Sequence, residues 1–362
     1  MTSEERHEAR YQRRKAERLR RRAAYQKTFD EVFTYSNLYR AYHKCTLGVS
    51  WKTQVQSVKA VAPVYVYDLY DELQTGRYKL SPYKEFDIYE HGKPRHILSV
   101  YFRDRVVQRC LADELIIPVL TRSFIYASGA CIPGKGVQFQ RRLLRRHLVE
   151  FLRHNKGGYV LQYDFSKFFA NLDHKTIKEL IRKYIDDERC LGMIYEFVDS
   201  FPNGKGLGLG SELSYLFALM LANELDHFIK EQLCCRQYGR YMDDGYLLCR
   251  DIDEARAWRD AIADKCGELH ITLNRNKTHL VKLSHCFIFL KRKYQITTTG
   301  KILELPNDKS FTKMRRKLKK LHGRIDPESI KQSYQAWRSS LIGADCYRKL
   351  KQFDKETRQW TQ

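Results

Sequence analysis

The ten cysteines of this chain are scattered and include no CxxC pair, so the ligand spacing of a structural zinc site is absent. No apolar run approaches the roughly 18 residues that span a bilayer, and no signal peptide is evident. These absences imply no membrane partner and a reducing, cytoplasmic setting with free, mostly buried thiols. Prolines are thinly spread, eight in 362 residues, and mark no flexible linker. Internal repeats and low-complexity segments are missing as well. Acidic residues are in deficit: 43 Asp and Glu stand against 66 Lys and Arg, a formal net charge of +23. Such an excess points to a polyanionic partner, most often nucleic acid; a membrane or ribosome surface is the other reading of a basic chain.

The basic residues are concentrated. Residues 1–35 form an arm crowded with Arg and Lys and poor in core-forming side chains, either a solvated helix or a segment that orders on nucleic acid. From Ser36, "SNLYRAYHKC" reads as a capped helix and begins the globular part. Further on, "GGYVLQYDFSKFFANLDHKTIKELIRKYI" reads as a strand over Tyr159–Phe165 with Asp164 at its end. A helix follows, capped by Asp173, with Ile177, Leu180, Ile181 and Tyr184 at helical spacing. In "RQYGRYMDDGYLLC", Arg236–Met242 and Tyr246–Cys249 read as two strands, with Asp-Gly supplying the tight turn between them. The amphipathic stretch after it, carrying Ala255, Trp258, Ile262 and Cys266, completes a split βαβ arrangement.

Adjacent Asp243 and Asp244 are out of place in a strand unless something offsets their repulsion. If the end of the first strand lies beside the hairpin, Asp164 joins them, and three close carboxylates are costly without a cation. Mg²⁺ prefers carboxylate oxygens and keeps sites open for phosphates, and two such ions can clamp both oxygens of a phosphoryl transfer. A Tyr-x-Asp-Asp tetrad alone is weak, because Asp is also welcome in an ordinary turn.

The motifs around it carry more. "GRYMDDGYL" and "YDFSKFFANLDH" resemble the catalytic blocks of the reverse transcriptase family, bacterial members in particular. "KPRHILSVYFRDRVVQRCL", "RSFIYASGACIPGKGVQFQRRLLRRHL", "GLGLGSELSYLFALMLANELDHFIKE", "ITLNRNKTHLVKL" and "FIFLKRKY" resemble its other blocks in family order, over roughly Arg95 to Tyr294. The resemblance implies an α+β right-hand polymerase fold: fingers over 36–158, a ferredoxin-like palm over 159–300 and a small helical thumb over 301–362. It implies two Mg²⁺ ions, with Mn²⁺ as a substitute, held by Asp164, Asp243, the Phe165 carbonyl and Asp244, the last mainly tuning the site.

The same resemblance makes Phe169 an aromatic gate against the ribose 2′-hydroxyl, although the residue alone would read as a core aromatic. Lys93 and Arg95 would hold the incoming triphosphate, and Lys277 would serve the departing pyrophosphate. Gly208 and Gly210 would allow close approach of base and template. Arg103, Arg105, Lys135 and Lys291 would meet nucleic acid, as would Arg315, Arg316, Lys319 and Lys320 of the thumb. Arg103 and Arg105 read equally as structural.

The chain departs from the family pattern at Leu209, Tyr215 and Lys291, which puts fidelity and primer contacts in doubt. No nuclease, protease or integrase segment is expected in what remains. The implied partners are an RNA template (a structured noncoding RNA), a DNA primer or product, and dNTPs. The implied role is antiphage defence; a diversity-generating or other retroelement is the alternative. An RNA-dependent RNA polymerase is disfavoured by Phe169, and a non-catalytic RNA-binding relative by the intact acids.

Overall fold

The computed structural model of the chain describes residues 2–90, 93–208 and 210–361. Its centre is a four-stranded antiparallel sheet in the order β4-β5-β3-β6, built from β3 (Tyr159–Tyr163), β4 (Tyr238–Tyr241), β5 (Asp244–Cys249) and β6 (His279–Lys282). Helices link β3 to β4, and the helix Ile252–Glu268 links β5 to β6. That order and connectivity make the sheet ferredoxin-like, as expected.

The β3 sequence Tyr-Val-Leu-Gln-Tyr buries Val160 on one face and Leu161 and Tyr163 on the other. The helix Glu212–His227 is apolar nearly all round because it is enclosed, burying Leu216, Phe217, Met220 and Leu221. Against the opposite face, the helix Val137–His154 buries Leu144, Leu148 and Phe151 beside Val160, Tyr246 and Leu248. Asp173 caps its helix through the Thr176 amide, and Ile177, Leu180, Ile181 and Tyr184 are buried as their spacing predicts.

The hairpin differs from expectation in its turn. Tyr241 pairs with Asp244, so the loop is Met242–Asp243, and Asp244 and Gly245 already belong to β5. Met242 adopts a left-handed φ of 55°. Gly245 is instead required by packing. It lies opposite Tyr163, whose ring would come within 2.2 Å of any Cβ placed there. The Asp-Gly signal therefore reflects close packing across the sheet and not a turn.

Before the central sheet, the arm forms the helix Ser3–Ala23. The next long helix is Tyr35–Thr46, capped by Thr34, whose hydroxyl accepts from the Asn37 amide, and not by Ser36. A hairpin follows, β1 (Lys84–Glu90) with β2 (Lys93–Ser99). After the central sheet, β7 (Phe287–Phe289), β8 (Arg292–Ile296) and β9 (Ile302–Pro306) form a second antiparallel sheet. Residues 302–306 are thus a strand, and the helical C-terminal region begins only at Asp308.

Three helices then close a core of their own around Phe311, Met314, Leu318, Ile330, Tyr334, Leu341 and Phe353. Asp326 caps the middle one, and Pro327 opens it. All ten cysteines are free, and only Cys131, Cys234 and Cys286 are exposed. Among the described residues no helix is long and apolar enough to cross a membrane.

Candidate active site

The register of the central sheet brings the acids together. Tyr163 sits opposite Gly245, so Asp164, the next residue on β3, ends beside the hairpin that carries Asp243 and Asp244. All three line one cleft of about 1200 Å³, joined by Lys277, Arg141 and the turn residues Leu290 and Lys291. Asp164 is buried. Its Oδ2 accepts from Lys277 Nζ at 2.7 Å, its Oδ1 from Asn274 Nδ2 at 3.2 Å, and its carbonyl from the Asn274 amide at 2.8 Å.

Burial, and then the charge of Asp164, pushes the Asp243 carboxyl up. Asp244 is pushed up to about 7, first by burial and then by Asp243 and Asp164. Lys277 is raised in turn, chiefly by its hydrogen bond to Asp164. The site therefore holds more negative charge than one ammonium relieves, which is the condition a divalent cation answers.

The fit to metal is partial in this geometry. Among the described residues no group of three or more His, Cys, Asp or Glu side chains converges tightly enough to hold an ion unaided. The donor set is nonetheless of the right chemistry, oxygen only, and Lys277 and Asn274 occupy the Asp164 oxygens that an ion would share. The hydrogen bonds flanking Phe165 run from Ser166 N to Thr272 O and from Asn274 N to Asp164 O, so they do not use the Phe165 carbonyl. The Phe165 ring is buried against Tyr163 and Phe168.

The other candidates divide. Lys291 borders the cleft at the β7–β8 turn, where Leu290 and Lys291 both have positive φ, 45° and 64°, and Arg141 donates to the Leu290 carbonyl at 2.6 Å. Phe169 does not line the cleft; its partly exposed ring meets Tyr215 edge-on, with centroids 5.1 Å apart. Gly208 is packed under Phe201 and Leu98, which leave no room for a Cβ. Gly210 and Arg105 line a smaller, separate cavity of about 280 Å³.

Arg103 is ion-paired with Glu72, and its guanidinium lies 5.3 Å from the Tyr78 ring centroid. Lys135 donates to the carbonyls of Tyr126 and Ser128. Both cations thus hold the fold together locally. Lys93 and Arg95 lie on β2, but their side chains fall outside the described residues, as does Leu209. In the C-terminal helices Arg315 pairs with Glu356, Lys319 lies 5.4 Å from the Trp360 ring centroid, and Arg316 and Lys320 are exposed.

Sequence reasoning missed two groups. Asn274, within the stretch "ITLNRNKTHLVKL", orients Asp164. Arg240 is a fully buried cation in β4 paired with Asp226, and its signal was a charged residue set between Tyr238 and Tyr241 in a mostly buried strand.

The model of the family described as "Reverse transcriptase (RNA-dependent DNA polymerase)" matches residues 84–303. The chain belongs to the reverse transcriptase family, and its sheet and cleft are those of a right-hand polymerase fold. It is 24% identical to Protein YkfC of Escherichia coli (strain K12) over 284 residues, which cover 66% of this chain and 72% of that protein. Among solved structures it is similar to the Candida albicans telomerase bound to a fragment of telomeric RNA (TM-score 0.48, 12% identity, 78% of this chain). A second is the apo Candida tropicalis telomerase truncated from its C-terminal domain (TM-score 0.47, 13% identity, 64% of this chain). The match spans 58% of each telomerase chain.

Proposed function

We propose that the chain is an RNA-directed DNA polymerase that extends a primer with dNTPs on an RNA template. The observation that carries this reading is the convergence of Asp164, Asp243 and Asp244 on one cleft wall with Lys277 on Asp164. In the reaction the primer 3′-hydroxyl gives up its proton to solvent, its oxygen forms a bond to the dNTP α-phosphorus, the bond to the bridging oxygen breaks, and pyrophosphate leaves. Two Mg²⁺ ions, or Mn²⁺ in their place, would be held by Asp164, Asp243 and the Phe165 carbonyl with Asp244 alongside, and would stabilise charge on the attacking and leaving oxygens.

The protein's own side chains would contribute beside the ions. Asp164 is fixed by Asn274 and Lys277, so its oxygens present one orientation. Lys277, whose side chain is more than half exposed, can swing its Nζ from Asp164 to donate a proton to the departing pyrophosphate. In this reading residues 36–158 are fingers, 159–300 palm and 301–362 thumb, and Lys93 and Arg95 of β2 hold the triphosphate. Phe169, backed by Tyr215, excludes a 2′-hydroxyl once substrate is seated. The exposed Arg316 and Lys320 meet the duplex backbone.

The test is primer extension on a defined RNA template with dNTPs. The parent should extend, and Asp243→Ala and Asp164→Ala should not, while circular dichroism shows both folded. Extension by a folded Asp243→Ala variant would sink the assignment.

The finer role we propose is antiphage defence, with a structured noncoding RNA as template. The support is the basic helix Ser3–Ala23, which offers a cationic rod to an RNA backbone. Cells expressing the gene with its native flanks should restrict phage plating, and Asp243→Ala should remove that protection. Adenine-directed substitutions accumulating in a neighbouring gene would instead identify a diversity-generating retroelement.

A further inference from the structure

A heavily bonded polar group lies directly behind the cleft, and the proposed chemistry does not use it. Arg240, 1% exposed on β4, donates from Nε to Asp226 Oδ1 at 2.7 Å and from Nη2 to Asp226 Oδ2 at 2.5 Å. Asp226 is fully buried on the helix Glu212–His227 and also accepts from the Tyr238 hydroxyl, which lies 2.6 Å from that of Tyr163. The Arg240 backbone is tied as well: its amide donates to Ala127 O, and its carbonyl accepts from the Gly129 amide. The strand is therefore fixed at this residue from three sides.

One guanidinium nitrogen remains, and it is aimed elsewhere. Arg240 Nη1 donates to the carbonyl of Met242 at 2.7 Å. Met242 is the left-handed residue of the hairpin loop, and Asp243 follows it. A methionine at φ 55° is held there by its surroundings and not by its own preference. A buried ion pair is weak evidence for stability, since apolar residues of similar volume often serve as well. Its use here is directional. The planar fork spends one edge on Asp226, and what is left points at a single carbonyl two residues along the chain.

We propose that the Arg240–Asp226 pair is a positioning device for the Asp243 carboxylate: it fixes the left-handed Met242 and thereby the direction in which the next side chain enters the cleft. This rests on the polymerase reading above. Arg240 is a positioning residue, not a catalytic one, because it touches no reacting atom.

The test compares Arg240→Lys with Tyr238→Phe. Both remove a hydrogen bond from Asp226, but only the first disconnects the Met242 carbonyl. At a temperature where both are folded by circular dichroism, Arg240→Lys should lower kcat about 100-fold, the size expected when a reacting group is misplaced by about 1 Å. KM for dNTP should stay within about twofold, because uniform binding is untouched. Tyr238→Phe should keep kcat within about threefold of the parent.

A second readout needs no activity. Hydrogen exchange at the Asp243 and Asp244 amides should accelerate about tenfold or more in Arg240→Lys and not in Tyr238→Phe. Equal kcat losses in the two variants, or unchanged exchange in the loop, would overturn the proposal. A parent that fails to extend any primer, with the exchange difference intact, would overturn the polymerase reading and leave the positioning device standing.

Discussion

His147 gives the clearest quantitative test of how the hairpin is supported. It projects from the helix Val137–His154, is 7% exposed, and places Nδ1 2.9 Å from the Tyr246 hydroxyl on β5, two residues beyond Asp244. Burial, then Lys230 and Arg146, lowers its pKa from 6.5 to about 4. The ring's hydrogen-bond partner is a neutral hydroxyl, which does not offset this. The folded form thus resists protonation that the unfolded chain accepts.

The unfolded state binds more protons between the two values, so stability rises with pH across this window. His147's contribution is complete above about 6.5 and is lost as pH falls toward about 4. With those two values the loss is about 2 kcal/mol at pH near 5, which for a cooperative unit of this size lowers Tm by about 2–3 °C. The assay is differential scanning calorimetry at pH values from about 7.5 to about 4.5, on the parent and on His147→Gln. Many carboxylates titrate in the same range, so the quantity that matters is the difference between the two curves. The parent should lose about 2.5 kcal/mol more than His147→Gln over that interval. Parallel curves would refute a buried, neutral His147.

Other outcomes follow from the same geometry. Gly245→Ala should destabilise the protein by about 1–3 kcal/mol in urea titration, because the Tyr163 ring is held by its hydroxyl contact to Tyr238 and cannot swing aside; a neutral result would mean that the sheet relaxes there. Phe169→Ala should lower the ratio of kcat/KM for dNTP over NTP, and an unchanged ratio would leave Phe169 as packing against Tyr215. Replacing Arg316, Lys319 and Lys320 with Gln should reduce the log–log salt slope of primer-template binding by roughly 0.7 to 0.9 per lost phosphate contact. Arg315→Gln, whose guanidinium is paired with Glu356, should leave that slope alone.

How much of the molecule is legible in the sequence varies with the range of the interaction involved. Helix caps such as Asp173 and Asp326 and the stripe Ile177–Leu180–Ile181 depend on residues a few positions apart, and local pattern locates them. The convergence of Asp164 with Asp243 and Asp244 requires a sheet order, which the family motifs supply and local pattern alone does not. The hairpin loop falls two residues before the Asp-Gly pair because Gly245 answers to Tyr163, far earlier in the chain, and no local rule sees that ring. Strand β9 falls within the bounds that the resemblance implies for the helical thumb, although it pairs with β8 across that boundary. Lys135 reads as a contact for nucleic acid, and Arg103 equally as structural, because their partners, the Tyr126 carbonyl and Glu72, are invisible until the chain is folded.

The C-terminal helices have a consequence of a different kind. Their core around Phe311, Tyr334 and Phe353 shares no buried residue with the two clusters that hold the central sheet. Their polar ties to the rest of the protein include Arg292 to the Ser340 carbonyl, Glu304 with Asp345 through paired backbone and side-chain bonds, and an ion pair of Asp345 with Arg145 of the helix Val137–His154. A region with a core of its own behaves as an interchangeable module. Substitutions inside it should be nearly additive with substitutions in the sheet. On the polymerase reading proposed above, drift in its length or surface would then alter which duplex the protein grips while the acids in the cleft stay where they are, so grip and chemistry can evolve on separate schedules.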